Sequence, residues 1–326
     1  LLRLRSGCAA AAAPPASAEP GRFAKGMERC AGSLVLELVP LFGVARGAAA
    51  LGALFALLAA LLQLPAAAEA SRQGRALAAI ACLLQKWTPL PERDAPAGRA
   101  ADPAPLVAGL SALLSALRGD AALWAEAQRL LALNMRIWAY APPALQSSLL
   151  EMHRGACSAS PELYRRSVSV SHVLDLCRLC YWVAEPEPGA LPEEVTRGGA
   201  VCARPTESIR PLRRQLLSLI DNMMHDQPTQ GEVAAIATAA LHCRDHSLVE
   251  DVLRVLLEIC ESRRGPGTIA HLQAIGGAFL PLSCVVAGHG EEVDVLALRL
   301  MSLCVREDGA AEPSLGSLIG CLTTTL

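Results

Sequence analysis

Two spacings in this chain carry residue types that do chemistry. Cys177 and Cys180 form a C-x-x-C within SHVLDLCRLCYWVA, and His242 and His246 stand four apart in HCRDH. A structural zinc site needs four ligands, from two cysteine pairs or from cysteines joined by histidines. The sequence has no second C-x-x-C, and His172 falls about 80° around a helix from Cys180. The two thiols share a helical face with core residues and read as packing groups. A zinc-protease helix needs Glu directly after its first His, as base for metal-bound water. Cys243 holds that position here. Asp245 and Ser247 place a helix end and a new start between the histidines, so HCRDH reads as a surface turn.

Other signatures are missing from the sequence. It contains no G-x-x-x-x-G-K phosphate loop, no G-x-G-x-x-G after a strand and no G-x-S-x-G elbow. No catalytic residue, cofactor or metal is therefore expected, and the chain reads as a non-enzyme. Glu291 and Glu292 beside His289 read as a polar helix start that complements the dipole. Arg204, Arg210, Arg213 and Arg214 form a basic cluster. It reads as a solvated face or, more sharply, as a surface for an acidic partner or anionic headgroup. Trp124, Trp138, Tyr140, Tyr181 and Trp182 are expected to anchor helix packing.

Composition narrows the class further. The net charge of −2 argues against a general nucleic-acid binder, and 52% hydrophobic residues suffice for a large core. Many of the twelve cysteines lie in apolar runs, among them Cys82, Cys177, Cys180, Cys243, Cys260, Cys284 and Cys304. A secreted disulfide framework is short and loop-rich, unlike this chain. A reducing, cytoplasmic setting is expected. The chain opens on Leu1 and closes on TTTL, and it is expected to be a piece of something longer.

The elements that must position these residues are helical almost throughout. Apolar residues recur at helix period over 33–44, 47–64, 69–87, 105–118, 120–140, 142–153, 161–166, 168–184, 207–225, 230–243, 247–263, 268–287, 291–305 and 313–322. Thr229–Glu232 and Ser247–Glu250 fit the capping box. Ser160 precedes a helix-opening Pro161, and RRGPG at 263–267 reads as a helix stop. Helix starts near 207, 247 and 291 recur about every forty residues, the period of HEAT and armadillo units. The fold class expected is all-α, an armadillo/HEAT-like solenoid of paired antiparallel helices over 31–326, after a low-complexity tail at 1–30. Pro-rich loops at 88–105 and 185–207 interrupt it, the second reading as a mobile insertion.

One stretch raises a rival reading. GAAALGALFALLAALLQL, 47–64, has eighteen residues and no charge. As a helix it spans about 27 Å, just short of a ~30 Å hydrocarbon core. Its pattern favours burial in protein. Leu51, Leu54, Phe55, Leu57, Leu58, Leu61, Leu62 and Leu64 fall on one half, and Gly52, Ala56, Ala59, Ala60 and Gln63 on the other. A solenoid helix uses such segregation, with a large face for the core and a small face for close approach. The alternative is an integral membrane protein with its span at 47–64.

Two segments carry a family resemblance: YRRSVSVSHVLDLCRLCYWVAE (164–185) and RRQLLSLIDNMMHDQPTQGEVAAIATAALHCRDHSLVEDVLRVLLEIC (213–260). They resemble the armadillo-like region of BEACH-domain proteins, and most of all the neurobeachin-like group, over roughly 105–305. The resemblance lies in texture and helix order. It implies an internal piece of a large cytoplasmic scaffold that works with other proteins, in vesicle trafficking or granule biogenesis, peripherally on the cytosolic face of endomembranes. It implies no catalytic residue in this region.

Overall fold

The computed structural model describes residues 20–45, 47–85, 102–139, 141–181, 196–197, 200–201, 206–224, 228–243, 245–276 and 279–305. The chain divides into two compact units, 1–87 with 97–127, and 88–96 with 128–326. Both are helical.

The first unit holds α1 (Pro20–Val44), α2 (Ala48–Leu62), α3 (Pro65–Gln73), α4 (Ala76–Gln85), α5 (Ala104–Ala116) and α6 (Ala121–Ala127). Helix α1 begins at Pro20, well before the start expected at 33. It buries Ala31, Val35, Leu38 and Phe42 at i, i+4, i+7 and i+11, the spacing of one helical face. Phe42 meets Phe55 of α2 with ring centroids 4.9 Å apart.

Helix α2 is buried on two sides. Leu51, Phe55, Leu58 and Leu62 form its large face, and Gly52 and Ala59 are buried on the small face. Leu57 departs from the expected segregation and stays 49% exposed. The small face receives α5 at a backbone-to-backbone crossing. A Cβ on Gly52 would lie 2.1 Å from the Pro105 carbonyl oxygen, and one on Gly109 would lie 2.3 Å from that of Gly52. Only glycine admits such an approach. Among the described residues no single helix is long and apolar enough to cross a membrane. The α2–α3 pair meets that length and composition together, but bends by 112°. Pro65 makes the bend by opening α3 at its first turn.

The helix expected over 69–87 is two helices. Gly74 and Arg75 separate α3 from α4, with Arg75 at φ 48°. A Cβ on Gly74 would meet Leu36 Cδ2 at 2.6 Å, so the turn seats against α1. The loop expected at 88–105 lies outside the described residues up to 101; α5 starts at Ala104.

The second unit opens with a π-turn, Gln128–Ala132, followed by α7 (Met135–Trp138), α8 (Pro143–Ala159), α9 (Pro161–Ser167) and α10 (Val170–Cys180). Two-residue strands β1 (Thr196–Arg197) and β2 (Ala200–Val201) pair antiparallel. Then come α11 (Thr206–Met223), α12 (Gln230–His242), α13 (His246–Glu261), α14 (Gly265–Ile275), α15 (Phe279–Val286) and α16 (Glu291–Val305). Helix α11 packs on α8, α10 and α13; α12 packs on α10, α13 and α14; α16 packs on α13, α14 and α15. The starts of α11, α13 and α16 match the repeat read near 207, 247 and 291. This is the all-α solenoid expected.

Several boundaries differ for local reasons. The single helix expected at 120–140 breaks because side chains take its carbonyls. The Trp138 indole N–H donates to Leu131 O at 2.7 Å and the Asn134 amide to Leu130 O at 3.0 Å. The helix expected at 268–287 stops at Gly276, whose φ of 142° suits glycine. The capping box at Thr229 forms with both of its bonds. The one at Ser247 does not. Asp245 caps α13 instead, accepting from Leu248 N at 3.1 Å, while Glu250 turns to Arg210. RRGPG does not stop α13, which ends at Glu261; Gly265 and Pro266 open α14. Arg264 donates to the carbonyls of Asp221 and Met224, at 2.8 and 3.0 Å, and so caps the end of α11. Most of 185–207, the helix expected at 313–322, Tyr140 and Trp182 lie outside the described residues.

The α2–α5 crossing is directly testable. Gly52→Val should cost about 3 kcal/mol or more, because the backbones must part to admit the side chain. Ala53→Val on the exposed side should change stability by less than about 1 kcal/mol. Chemical denaturation of both variants checks this.

Candidate functional site

The arginine cluster is built by α11 and answered by α13. Arg213 is fully buried. Its Nε donates to Asp251 Oδ2 at 2.7 Å, and one Nη2 hydrogen goes to the same oxygen. The other Nη2 hydrogen goes to Ser247 Oγ at 2.9 Å. Nη1 donates to Asp245 Oδ2 at 3.1 Å and to the Tyr181 carbonyl at 3.2 Å. A guanidinium has five N–H donors, and each of these has an acceptor. Arg214 Nε reaches Asp251 Oδ1 at 3.0 Å, and Arg210 reaches Glu250 Oε2 at 2.5 Å. Three guanidiniums thus face three carboxylates.

Arg213, one of the four arginines read as a solvated face or a surface for an acidic partner, is buried instead. Arg213 meets no solvent. Arg210 and Arg214 keep part of their surface but spend their charge on Glu250 and Asp251. Arg204 lies outside the described residues. The reading missed Asp245, Glu250 and Asp251, although a signal was present. Asp251 stands among Val249, Val252 and Leu253 on the apolar stripe of α13, where a carboxylate needs a buried cation.

The network continues into α8. The Tyr181 hydroxyl donates to Gln146 Oε1 at 2.7 Å, and the Gln146 amide donates to Ala141 O at 2.6 Å and Ala139 O at 3.2 Å. A second link joins α9 to α12. Arg165 grips Glu232 with two bonds, one of 2.7 Å from Nε to Oε1. Burial pushes the Glu232 carboxyl up, but Arg165 and the Thr229 cap outweigh it and hold it below its ordinary value.

Of the cysteines read as core residues, Cys177, Cys243, Cys260, Cys284 and Cys304 are buried, whereas Cys180 is half-buried and Cys82, against expectation, is exposed on α4. Cys177 is buried, and burial raises its thiol far above the ordinary range. Burial also pushes Cys157 up to about 11 and Cys260 up to about 12. Such thiols stay protonated and are poor nucleophiles. His242 ends α12 and His246 opens α13, so the turn between them is as expected. His246 Nδ1 lies 3.1 Å from the His289 carbonyl oxygen. Among the described residues no group of three or more His, Cys, Asp or Glu side chains is placed to hold a metal ion. Trp124, Trp138 and Tyr181 are buried, as packing anchors should be.

One concave feature of this unit, among the described residues, is a groove of about 530 Å³ between α10 and α12. Ser171, Leu174, Asp175 and Arg178 form one wall. Gly231, Ala234, Ala235, Thr238 and His242 form the other, with Leu248 and Val252 beneath. A second recess of about 570 Å³ shares His242 and Cys243 and runs on to Ala287 and His289. Asp175 and Arg178 pair with each other at 3.4 Å, so the groove presents no net charge. Gly231, Ala234, Ala235 and Thr238 keep the α12 wall of the groove low. The polar groups do not converge on a point, as a small-molecule site would require.

One buried titratable group stands apart. His153 of α8 is fully buried, its Nδ1 3.2 Å from the Tyr164 hydroxyl. Burial lowers its pKa from 6.5 to about 4.

Residues 50–306 match a family described as the Neurobeachin/BDCP, DUF4704 alpha solenoid region. No curated protein and no solved structure matches the chain.

Two outcomes follow from the buried polar groups. Arg213→Met should cost about 3–5 kcal/mol, since it leaves buried carboxylates short of a cation. Arg214→Met, half exposed, should cost less than about 1 kcal/mol. Urea denaturation of both variants compares them. His153 is held neutral in the fold, so its contribution is complete above pH 6.5 and is lost as pH falls toward 4. The loss should reach about 3 kcal/mol. His153→Met should flatten that part of the stability–pH curve, measured by denaturation between pH 7 and 4.

Proposed function

We propose that this chain, which belongs to the Neurobeachin/BDCP alpha-solenoid family, is a non-catalytic scaffold segment that binds other proteins in vesicle trafficking or granule biogenesis, on the cytosolic face of membranes. Two lines support the scaffold part. The family region is an alpha solenoid, and stacked helical units present extended surfaces suited to protein partners. The charged and thiol groups with shifted pKa values are committed to internal pairs or to burial, which leaves the surfaces, not a reactive centre, to carry function.

The observation that carries the reading is the α10–α12 groove. Its uncharged, small-residue wall suits the ridge of a partner helix laid between two parallel rows of side chains. The trafficking role and the membrane-side location come from the family resemblance alone.

The groove gives the test. Ala235→Arg and Thr238→Arg place bulky charges on its wall without touching the core. Each should weaken capture of the cellular partners identified by cross-linking and mass spectrometry by about tenfold or more, close to 1.4 kcal/mol. The melting temperature should stay unchanged. Capture at wild-type strength by both variants would place the binding surface elsewhere. Co-migration of the tagged protein with vesicle markers, lost in the same variants, tests the trafficking part.

A further inference from the structure

The guanidiniums around Glu250 stand outside their carboxylates. The side chains of Arg210 and Arg214 on α11 and Arg254 on α13 are 34%, 52% and 46% exposed, whereas Glu250 is 12% exposed and Asp251 is buried. All three arginines close on the one Glu250 carboxylate, at 2.5, 3.8 and 2.9 Å. They therefore converge on a single point. Each makes one hydrogen bond to these carboxylates, Arg210 and Arg254 to Glu250 and Arg214 to Asp251. Each guanidinium carries five N–H donors, so the outer donors face water. Arg254 also tips the charge. Arg210, Arg213, Arg214 and Arg254 are four cations against the three anions Asp245, Glu250 and Asp251, a surplus of one positive charge.

We propose that this patch binds a phosphorylated segment of a partner protein. It is separate from the α10–α12 groove, whose lining includes none of these arginines. A phosphate ester gathers almost two negative charges and three strong acceptor oxygens in one small group. Arginine forks pair with such oxygens two bonds at a time, and clusters of them recognise phosphorylated motifs. One phosphate set beside Glu250 meets all three guanidiniums and takes the donors that the carboxylates leave. Glu250 and Asp251 hold the forks in place beforehand, which lowers the entropy cost of ordering three long side chains. The small extent of the patch favours a phosphorylated protein segment over an anionic membrane. Glu258, one turn along α13 from Arg254, is exposed. A flat layer of anionic headgroups would press on that carboxylate as well, whereas a single phosphate needs only the arginines.

The test uses the full chain and a fluorescent peptide that carries one phosphoserine among glycines and alanines. Anisotropy should show the phosphorylated peptide binding about tenfold or more tighter than the same peptide without phosphate. Arg214→Gln with Arg254→Gln should weaken that binding about tenfold or more. The melting temperature should hold, because both side chains are about half exposed. Arg254→Gln alone, which leaves the Asp251 contacts in place, should weaken binding about threefold or more. Equal affinity for the two peptides would overturn the proposal, as would wild-type affinity in the double variant. Binding to vesicles of phosphatidylcholine and phosphatidylserine, with none to the phosphopeptide, would make the patch a membrane contact and overturn it equally.

Discussion

The second unit depends on one buried cation. Arg213 is placed where no water reaches it, and removing a guanidinium from water costs several kcal/mol unless every donor is met. Here Asp245, Asp251, Ser247 and the Tyr181 carbonyl meet all five. Those acceptors belong to the end of α10 and the start and middle of α13. The guanidinium fork is planar and rigid, so it accepts them in one geometry. That geometry sets how far α11 can slide or turn against α10 and α13. Tyr181 carries the constraint onward through Gln146 to α8.

The first unit reaches close packing by opposite means. Apart from the Arg72–Asp120 ion pair its helix packing is mainly apolar, and its most demanding contact is the absence of side chains where Gly52 faces Gly109. Dispersion between backbones at that distance is strong and falls steeply with separation. The apolar run at 47–64 is thereby explained. Its large face fills the space toward α1, its small face accepts α5, and its fifteen-residue helix ends at a proline turn. The buried cysteines of the second unit, such as Cys157 and Cys177, play the same filling role as the alanines of the first.

The Neurobeachin/BDCP solenoid family gives this architecture its setting. A stack of short helices bound by internal ion pairs leaves few charges unspent on the groove side. The α10–α12 groove is correspondingly neutral, and a partner of the kind proposed would gain there from shape and apolar contact more than from charge. Binding of that kind tolerates changes in salt better than electrostatic docking does.

The sequence by itself determined the fold class, the repeat spacing, most helix positions and the burial of 47–64. These follow from apolar period, capping chemistry and proline, all of which act within a few residues. The Thr229–Glu232 box could be read because both partners lie in one turn. Tertiary structure alone decided the fate of the arginines. Arg213 and Arg214 are neighbours of one type in sequence, yet one is fully buried and the other half exposed. Their carboxylates lie 32 to 38 residues away. The same distance effect hid the breaks at 74–75, at 128–134 and at Gly276. There a carbonyl or a turn is claimed by a side chain or neighbouring helix that local period cannot show. Local patterns set where helices form, and long-range pairing set which polar residues face water.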